Sequence, residues 1–264
     1  MSAMALTLSA WSALLGRDLR AFLRSRSQLG SSLLFPLMLL AILGIGISEG
    51  LEPTRVRDGD YVTFLVPGII VMTALFSSTF SSASFYQDRD SGMLKTILVA
   101  PHPTAVILIG KSLGAIVIGS VQALAVLAVA SAIPAIDLQW QYGVIPSLLL
   151  ALTTVIGLNV LLSGLAQVLA SRIRTMQGFH LVMNLVLFPL LFFSGAFFPL
   201  ADLPGWLYGL ALANPLTYAV DLLQLAVYAD GDSGHVGIGI DLAVLVALAL
   251  ALFTWGMRRH PMAE

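Results

Sequence analysis

The sequence predicts an all-α polytopic membrane protein with an N-terminal interfacial amphipathic helix, six transmembrane helices, and short re-entrant or surface helices between spans five and six. Hydrophobic residues make up 58% of the 264-residue chain and charged residues only 10%, whereas a soluble domain carries about 25% charged residues. Six apolar runs are long enough to cross a bilayer, which takes about 20 helical residues. The basic residues lie in the connections between these runs, mostly on one side. We therefore treat residues 1–264 as a single transmembrane domain.

The N-terminal segment, residues 7–27, is too charged to span a membrane. Its apolar residues recur at steps of three and four: Leu8, Trp11, Leu15, Leu19 and Phe22. Arg17, Arg20 and Arg24 recur in the same way on another face. An apolar face opposite arginines favours a helix lying in the membrane interface. The alternative is that this segment is only the charged flank of the first span.

The six predicted spans follow this segment. They lie near 31–48, 62–84, 111–133, 143–170, 179–198 and 236–256. The fifth contains Pro189 and runs into Pro199, so we expect it to bend or break.

The distribution of Lys and Arg predicts the orientation of these spans. Of the 13 basic residues, all but two lie in the N-terminal segment, the connections after spans two and four, and the C-terminal tail. Only Arg55 and Arg57 lie on the opposite side. Because basic residues concentrate in cytoplasmic connections, we expect both termini to be cytoplasmic.

The longest connection predicted to lie outside, residues 199–235, has no Lys or Arg. Its interfacial aromatic residues are Trp206, Tyr208, Tyr218 and Tyr228. Gly205 and the Asn214-Pro215 pair divide it into short helical pieces. Pieces of about ten residues are too short to cross, so we expect them to be re-entrant or to lie at the outer surface.

The connection after span two, residues 85–103, is predicted to lie in the cytoplasm. Its charged residues are Asp88, Arg89, Asp90 and Lys95. Met93, Leu94, Ile97 and Leu98 then give a short apolar face that ends at Pro101. A short amphipathic helix suits a groove on a partner protein, but it could equally rest on lipid headgroups, and spacing alone leaves both interpretations open.

Sites for metals, nucleotides and covalent catalysis are not expected. The chain has no cysteine, and its four histidines have no ligand-like spacing, which argues against an intramembrane metalloprotease. An intramembrane serine protease is also disfavoured, because His180 lies at the edge of a predicted span. The stretch from Ala105 to Ser112 fits a loose phosphate-loop pattern, but such a loop needs glycine backbone between a strand and a helix. We interpret its Lys111 as an anchor at the membrane border. The net charge of −1 gives no sign of a nucleic-acid partner.

Several uncharged polar residues lie within the predicted spans. Thr73, Ser77 and Ser81 share one face of span two, which suits either close helix packing, slightly favoured, or a weakly polar path for cargo. Asn184 in span five lies near Phe188 and Phe192, which suits either a cargo path or an interhelical hydrogen bond. The absence of ionisable residues deep in the spans argues against proton-coupled transport.

Two segments resemble a known family. The stretch Leu187-Phe-Pro-Leu-Leu-Phe-Phe-Ser-Gly-Ala-Phe-Phe-Pro-Leu-Ala-Asp-Leu-Pro204, followed by Asn214-Pro-Leu-Thr-Tyr218 and Gln224, is similar to the signature of type-2 ABC exporter permeases. The stretch Asp88-Arg-Asp-Ser-Gly-Met-Leu94, followed by Leu98-Val-Ala-Pro101, resembles the first cytoplasmic loop of that family.

The resemblance implies the permease subunit of an ATP-driven exporter in a bacterial plasma (inner) membrane. Such a subunit dimerises, most simply with a second copy of itself, and pairs with two cytoplasmic ABC ATPase subunits. Those subunits use ATP and Mg²⁺, so the permease itself is not an enzyme and binds no cofactor. The implied cargo is amphipathic or hydrophobic: a drug, a lipid or a lipid-linked glycan. The alternative is a membrane channel or scaffold that works without an ATPase.

The resemblance also implies roles for individual residues. The connection after span two would couple to the ATPase through Asp88, Arg89, Asp90, Gly92, Leu94, Lys95 and Leu98. Spans two and five would line the cargo path at the dimer interface, with Thr73, Ser77, Ser81, Asn184, Phe188 and Phe192. The segment between spans five and six would act as an outer lid, with Trp206, Asn214, Pro215 and Tyr218.

Overall fold

The computed structural model describes residues 3–25, 30, 33–42, 61–90, 104–134, 136–173, 175–200, 203–227 and 237–259. Within these ranges the chain forms helices and no strands. The nine helices are α1 (Ala3–Arg24), α2 (Leu33–Ile42), α3 (Tyr61–Asp90), α4 (Thr104–Ala132), α5 (Val144–Ala170), α6 (Met176–Phe192), α7 (Gly205–Ala213), α8 (Pro215–Val227) and α9 (Ile238–Arg259).

The helices agree with a polytopic membrane protein. Four described segments are long and apolar enough to cross a bilayer: Tyr61–Thr79, Val106–Ala132, Val144–Ala170 and Ile238–Arg258. Helices α7 and α8 together form a fifth apolar unit, which bends by 91° between them. The predicted first and fifth spans correspond to the shorter apolar helices α2 and α6. The predicted total of six spans therefore stays a prediction.

Two predicted boundaries differ from the structure. Helix α3 continues through residues 85–90, which the sequence assigns to a connection, and α4 begins at Thr104 instead of 111. Hydropathy ends a span at its first charged residues, but a helix extends into water because its backbone hydrogen bonds are internal. The predicted cytoplasmic connection is therefore partly helical, and only residues 91–103 lie outside the described ranges.

Helix α5 occupies the centre of the bundle, where it contacts α3, α4, α6, α8 and α9. Its closest neighbour is α9. A Cβ atom at Gly164 would collide with the backbone of Phe253, and one at Gly256 would lie 2.9 Å from the carbonyl oxygen of Gly164. Small residues thus let the two backbones approach, as is common for helices packed in membranes.

The described basic residues gather at one end of the bundle. The Tyr86 hydroxyl donates to the Ile173 carbonyl at 2.9 Å, which places the α5–α6 connection and its Arg172 beside the end of α3. Arg258, in the last turn of α9, lies close to the same end of α5, because Gly256 contacts Gln167. This arrangement agrees with the one-sided charge distribution of the sequence. The cytoplasmic location of that end remains a prediction.

Candidate functional site

Four charged side chains form an ionic cluster where α1, α3 and α4 meet: Arg17, Asp18, Asp88 and Lys111. The Arg17 guanidinium lies 2.8 Å from Asp18 Oδ1 and 2.9 Å from Asp88 Oδ2. Lys111 Nζ pairs with the same Asp88 oxygen. The side chain of Lys111 is only 9% exposed and that of Asp88 16%. Asp88 therefore accepts two cations in a mostly water-excluded setting.

The cluster shifts the titration of its central carboxylate. Burial by itself raises the pKa of Asp88, but the hydrogen bonds and charges of Lys111 and Arg17 outweigh it and hold the pKa below its ordinary value of 3.8. Burial likewise lowers the pKa of Arg17, and its two acidic partners outweigh that effect and raise it. Asp88 and Arg17 therefore both stay charged at neutral pH.

Helix α1 is seated on α4 by contacts that place Arg17 beside Asp88. The Trp11 indole N–H donates to the Val106 carbonyl at 3.0 Å. One turn further along α1, Leu14 packs against Gly110 of α4. A Cβ atom on Gly110 would lie only 2.7 Å from Leu14 Cδ1. The predicted N-terminal helix thus forms, and it is attached to the bundle along one face. Its location in the membrane interface stays a prediction. Lys111, the predicted membrane anchor, is an ion-pair partner of Asp88 and lies seven residues after the start of α4. Its position at the membrane border stays a prediction.

The predicted coupling residues divide into two groups. Asp88, Arg89 and Asp90 form the last turn of α3, and the carboxylate of Asp88 is engaged within the chain. Gly92, Leu94, Lys95 and Leu98 lie outside the described residues. The ionic cluster therefore fixes the start of the connection, and contact of these residues with a partner stays a prediction.

A second feature is an apolar groove between α3 and α6. It is lined by Met72, Leu75, Phe76, Thr79, Asn184, Leu187, Phe188 and Leu191. The predicted path residues Asn184 and Phe188 thus share one groove, with Asn184 exposed on α6. Phe192 is 49% exposed one turn beyond Phe188, and its ring lies 5.3 Å from that of Phe197.

The remaining predicted path residues are on α3. Thr73 and Ser77 are 0% and 1% exposed in the single subunit, and the Thr73 hydroxyl donates to the Ile69 carbonyl of its own helix at 2.8 Å. Their setting is that of close helix packing, so a role in the path stays a prediction. Ser81 lies in α3, but its side chain is outside the described set.

Sequence reasoning missed the α3 side of the groove, and Phe76 in particular. The Phe76 ring meets Phe188 edge-on at 6.2 Å and Phe35 of α2 at 5.6 Å, so it joins three helices. The signal was present in the sequence, since Met72, Phe76 and Thr79 follow helical spacing. The row of serines and threonines beside them is the more conspicuous pattern in this part of the sequence.

The predicted lid residues form the corner between α7 and α8. Asn214 Oδ1 accepts from the Leu216 N–H at 3.0 Å, and its Nδ2 donates to the Leu190 carbonyl of α6 at 2.5 Å. The Tyr218 hydroxyl donates to the Leu212 carbonyl at 2.7 Å. Asn214 and Tyr218 thus hold α8 to the ends of α6 and α7. Pro215 begins α8, and Trp206 on α7 is 71% exposed.

The stretch that resembles a phosphate loop lies inside a helix. Residues Ala105 to Ser112 belong to α4, and the Ser112 hydroxyl donates to the Leu108 carbonyl at 2.9 Å. A continuous helix directs its backbone N–H groups along its own axis and cannot wrap them around a phosphate. This segment is therefore not a phosphate loop.

Comparison with known proteins identifies the family of the chain. The chain is 30% identical over 168 residues to the "Probable multidrug ABC transporter permease YbhR" of Escherichia coli K12, covering 62% of this chain and 44% of the relative. It is 30% identical over 218 residues to "Nodulation protein J" of Bradyrhizobium diazoefficiens, covering 80% of each. It is 32% identical over 162 residues to the "Inner membrane transport permease YadH" of Escherichia coli K12, covering 61% and 60%.

The chain thus spans less than half the length of the first of these relatives and most of the second. The model of the ABC-2 type transporter family matches residues 9–228. This match runs from α1 through the ionic cluster and the groove to the α7–α8 corner. The chain therefore belongs to the ABC-2 type transporter family.

Proposed function

We propose that this chain is the membrane permease subunit of an ATP-driven exporter, working as a dimer with two cytoplasmic ABC ATPase subunits in a bacterial inner membrane. The observation that carries the proposal is the ionic cluster within a chain of this family. The Asp88–Lys111 pair ties the end of α3 to α4, and these two helices flank the 91–103 connection. A force applied to that connection then moves α3 and α4 together, with α1 attached through Arg17.

The side chains that line the groove favour an amphipathic or hydrophobic cargo. Helix α3 carries one wall of the groove and also leads into the 91–103 connection. A displacement of the connection therefore changes the wall that faces Asn184 and Phe188. Apolar and aromatic walls with one amide suit a drug, a lipid or a lipid-linked glycan, and they give no compensating charge to a highly charged solute. One relative carries the name of a probable multidrug permease.

The energy for transport comes from ATP and Mg²⁺ bound by the partner subunits, and both termini of this chain lie in the cytoplasm. The test begins with affinity purification of the full-length chain, which should bring an ABC ATPase with it. Cargo should then stimulate ATP turnover by that complex. Cargo flux that is independent of ATP, with no associated ATPase, would instead establish the channel or scaffold alternative.

Substitutions in the connection test the coupling directly. Leu94→Asp with Leu98→Asp places two carboxylates on its predicted apolar face, so ATP turnover should lose its dependence on cargo while insertion into the membrane is retained. The control carries the same two charges at exposed sites at the other end of the bundle, Ile133→Asp with Gln139→Asp. Coupled transport that survives in the connection variant would refute the docking of this connection.

A further inference from the structure

The side of α1 that is not packed on α4 carries a strip of arginines. Arg17, Arg20 and Arg24, together with Ala13 and Ala21, line an open depression on this side of the helix. Arg20 and Arg24 are exposed, whereas Arg17 is committed to Asp18 and Asp88. Two cations thus border a space that no described part of the chain fills.

The position of the strip on α1 indicates what it faces. The face that holds Trp11 and Leu14 is packed on α4. At 100° per residue, Leu15 lies about 180° around the helix from Arg24 and about 140° from Arg20. A helix with its leucines in the acyl region places the opposite side at the depth of the lipid phosphates. Leu23, which is 60% exposed, lies between Leu19 and Arg20 around the helix.

The spacing of the arginines suits a phosphate. Arg20 and Arg24 are four residues apart, which separates them by about 6 Å along the helix. A guanidinium binds phosphate oxygens in a bidentate geometry. The one acidic residue of α1, Asp18, is paired with Arg17 on the bundle side and does not neutralise the two exposed arginines.

We propose that Arg20 and Arg24 form a binding site for the phosphate of an anionic phospholipid in the leaflet that contacts α1. The lipid anchors α1 in the interface, and α1 in turn holds Arg17 at Asp88. This site does not depend on the cargo or on the ATPase. It predicts that the chain selects acidic lipids over zwitterionic lipids at one defined place.

A titration of the full-length chain in detergent with fluorescent phosphatidylglycerol tests the site. A basic residue near a membrane surface contributes roughly 1 kcal/mol to the attraction of acidic lipid, which is about fivefold in affinity. Arg20→Ala with Arg24→Ala should therefore raise the dissociation constant by about 25-fold, and Arg20→Gln alone by about fivefold. Arg20→Lys with Arg24→Lys should retain most of the affinity, and fluorescent phosphatidylcholine should bind weakly to every variant.

The matched control removes two exposed arginines from the same end of the bundle, Arg172→Ala with Arg258→Ala. It should bind phosphatidylglycerol as the unmodified chain does. An equal loss of lipid affinity in the control would show that affinity depends only on net charge, and it would refute the proposed site. Unchanged lipid binding in the Arg20 and Arg24 variants, with loss of a co-purifying ATPase, would assign the strip to a protein partner instead.

Discussion

Asp88 and Lys111 form an ion pair that joins the end of α3 to the third turn of α4, on either side of the 91–103 connection. Lys111 is the more buried partner, with 9% of its side chain exposed. A cation in that position depends on its carboxylate, because removing one member of a buried pair leaves the other charged and poorly solvated. The pair therefore sets how firmly the two helices hold the connection between them.

Asp88→Asn should weaken this junction. The variant leaves Lys111 and Arg17 without their shared anion, and since the cluster is partly open to water we expect a loss of roughly 1–2 kcal/mol. Thermal unfolding of the purified chain, followed by tryptophan fluorescence, should show a midpoint lower by a few degrees. Asp137→Asn at an exposed site is the control and should leave the midpoint unchanged. Equal midpoints for the two variants would show that the pair contributes nothing.

The same pair predicts a pH dependence. The pKa of Asp88 lies below 3.8, because Lys111 and Arg17 outweigh the effect of burial. A carboxylate whose pKa is lowered by folding stabilises the protein above its unfolded-state pKa, and this contribution is lost as the pH falls through the folded-state value. The difference in midpoint between the unmodified chain and Asp88→Asn should be constant near neutral pH. It should shrink below about pH 4. A difference that shrinks already between pH 7 and 5 would identify another titrating group.

The fold and the sites differ in how much of them the sequence reveals. The bounds of α5 were predicted within a residue, because Gly143 and Ser171 enclose one unbroken apolar run. The Asp88–Lys111 pair was not predicted, since hydropathy carries no information on which helix ends meet. The neighbouring Pro215 predicts that Asn214 lies at a corner, but the sequence does not predict the hydrogen bond from Asn214 to the Leu190 carbonyl. The Leu190 carbonyl is available because the Ser194 N–H, its partner in a regular α-helix, donates to the Leu191 carbonyl.

Gly68 should tolerate no side chain. A Cβ atom there would collide with the carbonyl oxygen of Ala196, in the turn where Gly195 adopts a φ of 82°. Gly68→Ala should therefore destabilise the protein by about 1–3 kcal/mol, as overpacking does elsewhere. The control is Gly209→Ala in α7, where nothing lies within 4 Å, and it should be neutral or slightly stabilising because alanine favours helix. The comparison is of unfolding midpoints, and equal effects would show that the α3 contact with this turn is loose.

Thr217 fastens α8 to α7. Its buried hydroxyl donates to the Ala211 carbonyl at 2.7 Å, so Thr217→Val leaves that carbonyl short of one donor and should cost about 1–2 kcal/mol. Thr254 is exposed and donates to Leu250 of its own helix. Thr254→Val should therefore change stability by less than about 0.5 kcal/mol. Protease sensitivity of the α7–α8 corner should increase in the first variant alone, and identical cleavage of both would exclude Thr217 as a fastening residue.

The groove between α3 and α6 makes the last prediction, which rests on the proposed transport function. Phe188 is 39% exposed and its ring meets Phe76, so Phe188→Ala removes one aromatic wall that an apolar cargo would contact. An aromatic contact contributes about 0.5–1.5 kcal/mol beyond its area, so half-maximal stimulation of ATP turnover should require roughly 2- to 10-fold more cargo.

The control for the groove is Leu181→Ala on the same helix, since Leu181 is 70% exposed and lies outside the groove. Its cargo dependence should match that of the unmodified chain. Asn184→Leu separates polar from apolar recognition, because it keeps the volume of the wall and removes the amide. It should weaken stimulation by cargo with a polar head more than by a purely apolar one. Equal shifts for Leu181→Ala and Phe188→Ala would mean that α6 meets lipid along this face, and that the path lies elsewhere.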